Sequence, residues 1–295
     1  MAFRDNLISV WPAETFNDLW GTNHGTPSGA VISSGAKLGT GCFSFNGTSD
    51  YINCGSGASL KTAQGTWAFW EYHTADQGDY KGILLLGDAG WNNNIVIRTR
   101  ANNRLEIQGR VGAEASPFRW YGLTANNAVP PNQWNRVVLT QDGIAPKLYV
   151  NGALVLTVST GNDLAHWTNH ANYAAKNFFI VVDGGGGYFG GKIDYVVVFG
   201  RAWTQSDVTL DYNGGAGKEF LFPLQGDVAG ISAADGYARV LRRLIGDVQG
   251  LSTFEAQARV LRRLIGDVQG LSTAEGIARV LRALKGDVSG ISSSE

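Results

Sequence analysis

The stretch that decides the fold runs over residues 147–199. It opens with KLYVNGALVLTV, residues 147–158, in which two apolar-rich runs flank the dipeptide Asn151-Gly152. Asn-Gly between two such runs marks a β-hairpin, because a two-residue type I′ turn demands positive φ at both central positions. The stretch closes with GGYFGGKIDYVVVF, residues 186–199, whose segment from Tyr195 to Phe199 is apolar on both faces. A strand apolar on both faces must be covered on both, so it belongs inside a sandwich and not at its edge.

Working outward, further strands are expected at 7–11, 42–46, 50–54, 66–73, 82–86, 95–99, 104–108, 119–123, 134–141 and 178–182. Residues 66–73, TWAFWEYH, carry aromatics on both faces at the strand period of two, which marks a central strand. CFSFNGTSDYINC, residues 42–54, reads as a second hairpin with Asn46-Gly47 in its turn, and the Asn46 glycosylation sequon is read as turn chemistry. Cys42 and Cys54 sit on its two arms, where a cross-strand disulfide is geometrically conceivable; with no sign of an oxidising compartment, two free thiols are the favoured reading. Residues 204–212 read as a helix opened by a Thr204/Asp207 capping box. The excursion STGNDLAHWTNHANYAAKN, residues 159–177, is long enough on a sandwich to be functional or a partner contact.

From Gly226 the chain changes character. Gly-Asp-Val recurs at Gly226, Gly246, Gly266 and Gly286, a repeat of 20 residues. Each unit is expected to hold a short helix, with Ser232, Ser252 and Ser272 as N-caps and Asp235, Glu255 and Glu275 completing capping boxes. A helix of about a dozen residues does not persist alone in water. Val240, Leu241, Leu244, Leu261, Leu264, Ile277, Leu281 and Leu284 are therefore the candidate residues for gripping neighbouring copies or another protein. The paired arginines Arg242, Arg243, Arg262 and Arg263 are balanced by acids and have no interleaved aromatics, so a nucleic-acid contact is not expected.

Composition narrows the class. The chain has 295 residues, formal net charge −1, 40 Gly, two Cys and nine Trp. That suits many short strands and tight turns, and no global field steers it to nucleic acid or an anionic membrane. Residues 1–14 hold no apolar stretch of signal-peptide length, and no run reaches transmembrane length. The expectation is synthesis in the cytosol without membrane insertion.

Four motifs in order carry a resemblance: SFNGTSDYI at 44–52, QWNRVVLTQDG at 133–143, LYVNGALV at 148–155 and GKIDYVVVFGRAWTQSDV at 191–208. Together they resemble the laminin-G-like, concanavalin A-like jelly roll over residues 6–220. This implies a mainly β protein, with a jelly-roll sandwich at 1–222 and amphipathic helical repeats at 223–295. DYNGGAGKEF, residues 211–220, resembles a tail often seen after this domain in bacteriophage structural proteins. The resemblance also implies a calcium ion as candidate cofactor: Asp18, Gly21, Asn23 and His24 match a loop that in some relatives helps hold one. Asp194 is the candidate third contributor, since calcium accepts oxygens in loose geometry. The alternative is that Asp18 and Asn23 cap turns.

Catalytic chemistry is not expected. Glucanases of this fold class place ExDxE on one strand, and TWAFWEYH offers only Glu71. His166 and His170 are four apart, but HWTNH lacks the glutamate of HExxH. A sugar site would instead use exposed aromatics with nearby amides. The candidates are Trp91 with Asn92, Asn93 and Asn94; Trp120 with Tyr121; and Trp167 with Asn169 and His170. The resulting expectation is a non-enzymatic virion surface protein that displays a carbohydrate-binding jelly roll. Its C-terminal repeats would mediate homo-oligomerisation and contacts with other virion proteins. The alternative is a cellular adhesin or extracellular filament subunit exported by a nonclassical route.

Overall fold

The computed structural model describes residues 5–56, 58–87, 92–112, 118–173, 176–182 and 187–219, with shorter segments between 224 and 294. The chain divides into two compact units, Met1–Glu219 and Phe220–Glu295.

The first unit is a sandwich of antiparallel strands. In chain order these are β1 (Leu7–Trp11), β2 (Thr26–Ser28), β3 (Val31–Ser33), β4 (Cys42–Asn46) and β5 (Tyr51–Asn53). Then come β6 (Gly65–Tyr72), β7 (Lys81–Gly87), β8 (Asn93–Arg100), β9 (Arg104–Val111) and β10 (Phe118–Leu123). The last five are β11 (Trp134–Gln141), β12 (Pro146–Val150), β13 (Ala153–Thr157), β14 (Asn177–Ile180) and β15 (Gly190–Phe199). One sheet has the order β13-β12-β11-β6-β15-β4-β3, with β1 also paired to β15; the other runs β10-β9-β8-β7-β14-β5-β2.

The opening stretch behaves as its residues demand. Asn151 and Gly152 have φ of 50° and 84°, and β12 pairs with β13 across them. β15 lies inside its sheet between β6 and β4. Its inward residues Ile193, Val196 and Val198 join a core that includes Trp11, Phe43, Trp67, Phe69 and Phe178. Trp67 meets Trp167 at 5.3 Å and Phe178 at 5.2 Å between ring centroids. Full burial of each large apolar side chain stabilises by roughly 1.5–3 kcal/mol, so this seam carries much of the fold's stability.

The opposite face of this sheet is covered too, which explains strands apolar on both sides. Helix α1 (Gln205–Tyr212) starts at Thr204 with a reciprocal capping box to Asp207. The Tyr212 ring lies 6.0 Å from Trp70. Asp211 grips Arg136 of β11 through two bonds, from Nε at 2.7 Å and from the second terminal nitrogen at 3.0 Å.

One expected hairpin is not formed. β4 pairs with β15 and β3 in one sheet, whereas β5 pairs with β14 and β2 in the other. The tight turn exists, with Asn46 Oδ1 accepting from the backbone N–H groups of Thr48 and Ser49 at 2.8 and 3.0 Å. It serves a crossing between sheets, because Phe43 and Ile52 fill one core only if the two strands part. Cys42 and Cys54 are free and buried.

In the second unit the described residues are strands, not the expected helix starts. Val228–Ala234, Val248–Phe254, Val268–Ala274 and Val288–Ser294 form one four-stranded sheet, and four two-residue segments form another. Both sheets are parallel and each residue faces its equivalent one repeat away, as Val228 faces Val248 and Val248 faces Val268. Ser232, Ser252 and Ser272 therefore lie within strands and not at N-caps. Leu244, Leu264 and Leu284 likewise lie on the two-residue strands, in register with one another. The physical reason is stacking: each copy supplies backbone partners to the next, which a lone short helix lacks. Val240, Leu241, Leu261, Ile277 and Leu281 lie outside the described residues.

Candidate functional site

The site grows from simple alternation on β8 and β9. Leu105, Ile107 and Val111 of β9, with Ile95 and Ile97 of β8, belong to the core. Strand period two then sends Glu106, Gln108 and Arg110, with Asn94, Arg98 and Arg100, to the other face of the sheet. On β10 the same rule puts Trp120 in the core and Tyr121, paired with Gln108, on the outer face.

These outward groups form one network. Glu106 accepts from Arg98 Nε at 2.8 Å through Oε1. Through Oε2 it accepts from Arg100 at 2.5 Å and from the Tyr121 hydroxyl at 3.3 Å. Gln108 accepts from Arg98 at 3.3 Å and donates to Asn94 Oδ1 at 2.9 Å. Both guanidinium groups also lie over the Tyr80 ring, Arg98 at 4.6 Å and Arg100 at 4.3 Å. Burial, and then the Glu106 carboxylate, pushes the Tyr121 hydroxyl above its ordinary pKa, so it remains a donor at neutral pH. The network fixes Tyr121 in place.

Beside it opens a cavity of about 480 Å³ lined by Phe118, Tyr121, Thr160, Gly161 and Asn162. Phe118 and Tyr121 meet edge to face at 5.8 Å, and Phe118 is 37% exposed. The far wall belongs to the long excursion after β13, laid along β10 by Tyr121 N–H donating to Thr160 O and Asp163 N–H donating to Arg119 O, each at 3.0 Å. Gly161 permits this approach: a Cβ there would stand 2.0 Å from the Arg119 carbonyl oxygen. Two aromatic surfaces, a hydroxyl and an amide thus border one opening. Aromatic faces take the apolar C–H face of a sugar ring, and the polar groups take its hydroxyls.

The residues singled out in the sequence do not converge on this cavity. Tyr121 lines it. Trp120 and Trp167 are 0% and 1% exposed, which removes them as ligand platforms. Trp120 instead donates its indole N–H to His166 O at 2.9 Å and stacks with Trp167. Asn94 is buried in the network, and Asn93 Oδ1 accepts from Gly112 N–H and from Asn172, each at 3.0 Å. Asn92 and Asn169 are exposed, and Trp91 lies outside the described residues. His170 is half-buried with its ring 4.7 Å from that of His166. His166 shares a 2.7 Å hydrogen bond with the Tyr173 hydroxyl through Nε2. Burial, and then His170, lowers the His166 pKa to about 4.

The expected calcium ligands have other partners. Asp18 Oδ1 accepts from the N–H groups of Val10, Trp20 and Gly21 at 2.9–3.0 Å, and Oδ2 accepts from Asn23 N–H at 3.2 Å. Asn23 donates to Ser9 and Ser59, and Asp194 Oδ2 accepts from the N–H groups of Lys37 and Leu38. The loop is tied by hydrogen bonds of the turn-capping kind. Among the described residues no group of three His, Cys, Asp or Glu side chains stands together as a metal-binding cluster. Glu71 is buried against His73 and Asn135, each at 2.7 Å, and burial raises its pKa.

Two antiparallel sheets packed around one core make this unit a jelly-roll sandwich. The chain belongs to the concanavalin A-like lectin/glucanases superfamily, whose family model matches residues 46–209. No curated protein matches it. Among solved structures it is similar to domain 4 of an extracellular arabinanase from Geobacillus stearothermophilus, in complex with arabinotriose. There the TM-score is 0.55 at 18% identity, covering 72% of this chain and 98% of that domain. It is also similar to the binding domain of Paraclostridial mosquitocidal protein 1, with TM-score 0.54, 14% identity and coverage of 72% and 53%. A third similarity is to the binding domain of botulinum neurotoxin DC in complex with SialylT, with TM-score 0.54, 12% identity and coverage of 75% and 53%. The chain thus spans nearly all of the arabinanase domain and about half of the toxin structures. At these identities the likeness is one of fold.

Proposed function

We propose that the jelly roll is a non-catalytic carbohydrate-binding module whose ligand enters the cleft between Phe118, Tyr121, Thr160 and Asn162. The observation that carries this reading is the cleft itself: an aromatic pair at 5.8 Å, one member held by Glu106, facing a polar loop across about 480 Å³. Membership of a lectin and glucanase superfamily supports it, as does the arabinotriose bound by the structurally similar arabinanase domain. A glycan panel presented to the whole protein tests it: the reading predicts selective retention of one saccharide class, and uniform absence of binding contradicts it.

The wider role we assign is display on a virion surface, as a decoration or fibre-like protein held or oligomerised through the repeats. The support is the two-unit build and the resemblance of residues 211–220 to a tail of phage structural proteins. Immunogold electron microscopy of intact particles tests this role. Label on particles is expected; label confined to cell surfaces or filaments favours the adhesin reading.

A further inference from the structure

The cavity has a charged neighbour that its neutral lining does not explain. Arg110 of β9 stands opposite Phe118 of β10 in the sheet register, and its guanidinium lies over the Phe118 ring at 5.5 Å. Its Nε is buried without a hydrogen-bond partner. Among the described residues no carboxylate pairs with it, whereas Arg98 and Arg100 share Glu106 and Arg136 has Asp211. A guanidinium is charged at every physiological pH, and its fork of N–H donors matches a carboxylate or a sulfate with two parallel bonds. The ring it lies over, Phe118, is itself one of the residues that line the opening.

We infer that the cleft takes an acidic saccharide, one sugar ring resting on Phe118 and Tyr121 while its carboxylate or sulfate is received by Arg110. This rests on the carbohydrate-binding reading and sharpens it. Thr160 and Asn162 on the far wall meet neutral hydroxyls; Arg110 supplies the selectivity for charge. Because the contact is a charge-assisted hydrogen bond near the surface, its contribution weakens as salt rises.

The test is titration of the full chain with three oligosaccharides of one backbone: a hexuronate form, its carboxyl-reduced neutral counterpart and a sulfated form. Wild type is expected to prefer at least one acidic form over the neutral one by roughly tenfold, the scale of one charge-assisted hydrogen bond. Which acidic form wins identifies carboxylate or sulfate as the group. Arg110→Gln is expected to abolish the preference, bringing the acidic and neutral forms to equal affinity. Arg110→Lys, which keeps charge but loses the fork, should restore part of it and also covers the case of a glutamine variant that does not fold. Equal binding of acidic and neutral forms by wild type overturns this inference and leaves the carbohydrate reading standing. Binding of none of the three, with the glycan panel also blank, overturns both.

Discussion

Asp194 offers a test of the fold's electrostatics that reads out directly against pH. Its side chain is fully buried. Oδ2 accepts from the N–H groups of Lys37 and Leu38 at 2.8 and 2.9 Å, while Oδ1 is buried with no partner. Burial, outweighing those N–H bonds and assisted by Glu14, pushes its pKa from 3.8 up to about 7. The unfolded chain then releases this proton near pH 4, whereas the folded chain keeps it to about pH 7. Over that window the folded state binds more protons, so this group makes stability fall as pH rises, with no further change above the folded value. The shift is roughly three units, equivalent to about 4 kcal/mol at about 1.4 kcal/mol per unit. Asp194→Asn keeps the oxygen that Lys37 and Leu38 require and removes the titration. Denaturant unfolding followed by tryptophan fluorescence from pH 4 to 8 is the assay, and it reports the sandwich alone because all nine tryptophans precede residue 220. The variant's stability advantage should be smallest near pH 4, grow by about 3–4 kcal/mol towards pH 7 and then level off. A difference that is flat across this range, or that shrinks with pH, refutes the reasoning.

Other outcomes follow from the same structure. Asp211→Ala leaves Arg136 buried without its carboxylate and should cost about 3–5 kcal/mol in the same unfolding assay, with α1 detaching from Trp70; a cost near zero contradicts the buried pair. A divalent-metal chelator should leave the thermal midpoint unmoved, because the Asp18 oxygens are already taken by backbone N–H groups; a marked fall would return that loop to calcium.

Much of the sandwich was readable because turn chemistry and strand period are local properties. Asn151-Gly152, the capping box at Thr204 and the strand over 134–141 each depend on neighbours within a few residues. The crossing after Asn46 was not readable, since the same turn serves a hairpin and a change of sheet. Only the choice of partners, β15 for β4 and β14 for β5, separates the two. The candidate site was only partly readable, for a related reason. RWYGL shows that Trp120 and Tyr121 face opposite ways, but which one is outward is set by the register with β9. A signal for the polar face was present in RLEIQGR, where Glu106, Gln108 and Arg110 alternate with core residues. Thr160, Gly161 and Asn162 fall in the excursion that length alone marked as functional, yet their union with Phe118 needed the backbone bond from Tyr121 to Thr160. In the repeats, a serine followed three residues later by an acid suits a helix cap as well as a strand. Stacking of equivalent residues across four copies places those serines in strands, and the acids Asp235, Glu255 and Glu275 lie outside the described residues.

The claim that most of this account depends on is that Phe118 and Tyr121 form the floor of a sugar site. Calorimetric titration of whichever saccharide the panel retains, against wild type and a Phe118→Ala/Tyr121→Ala double variant with unchanged thermal midpoint, tests it most directly. The account predicts loss of measurable binding in the double variant; affinity equal to wild type would place the ligand elsewhere on the molecule and contradict it.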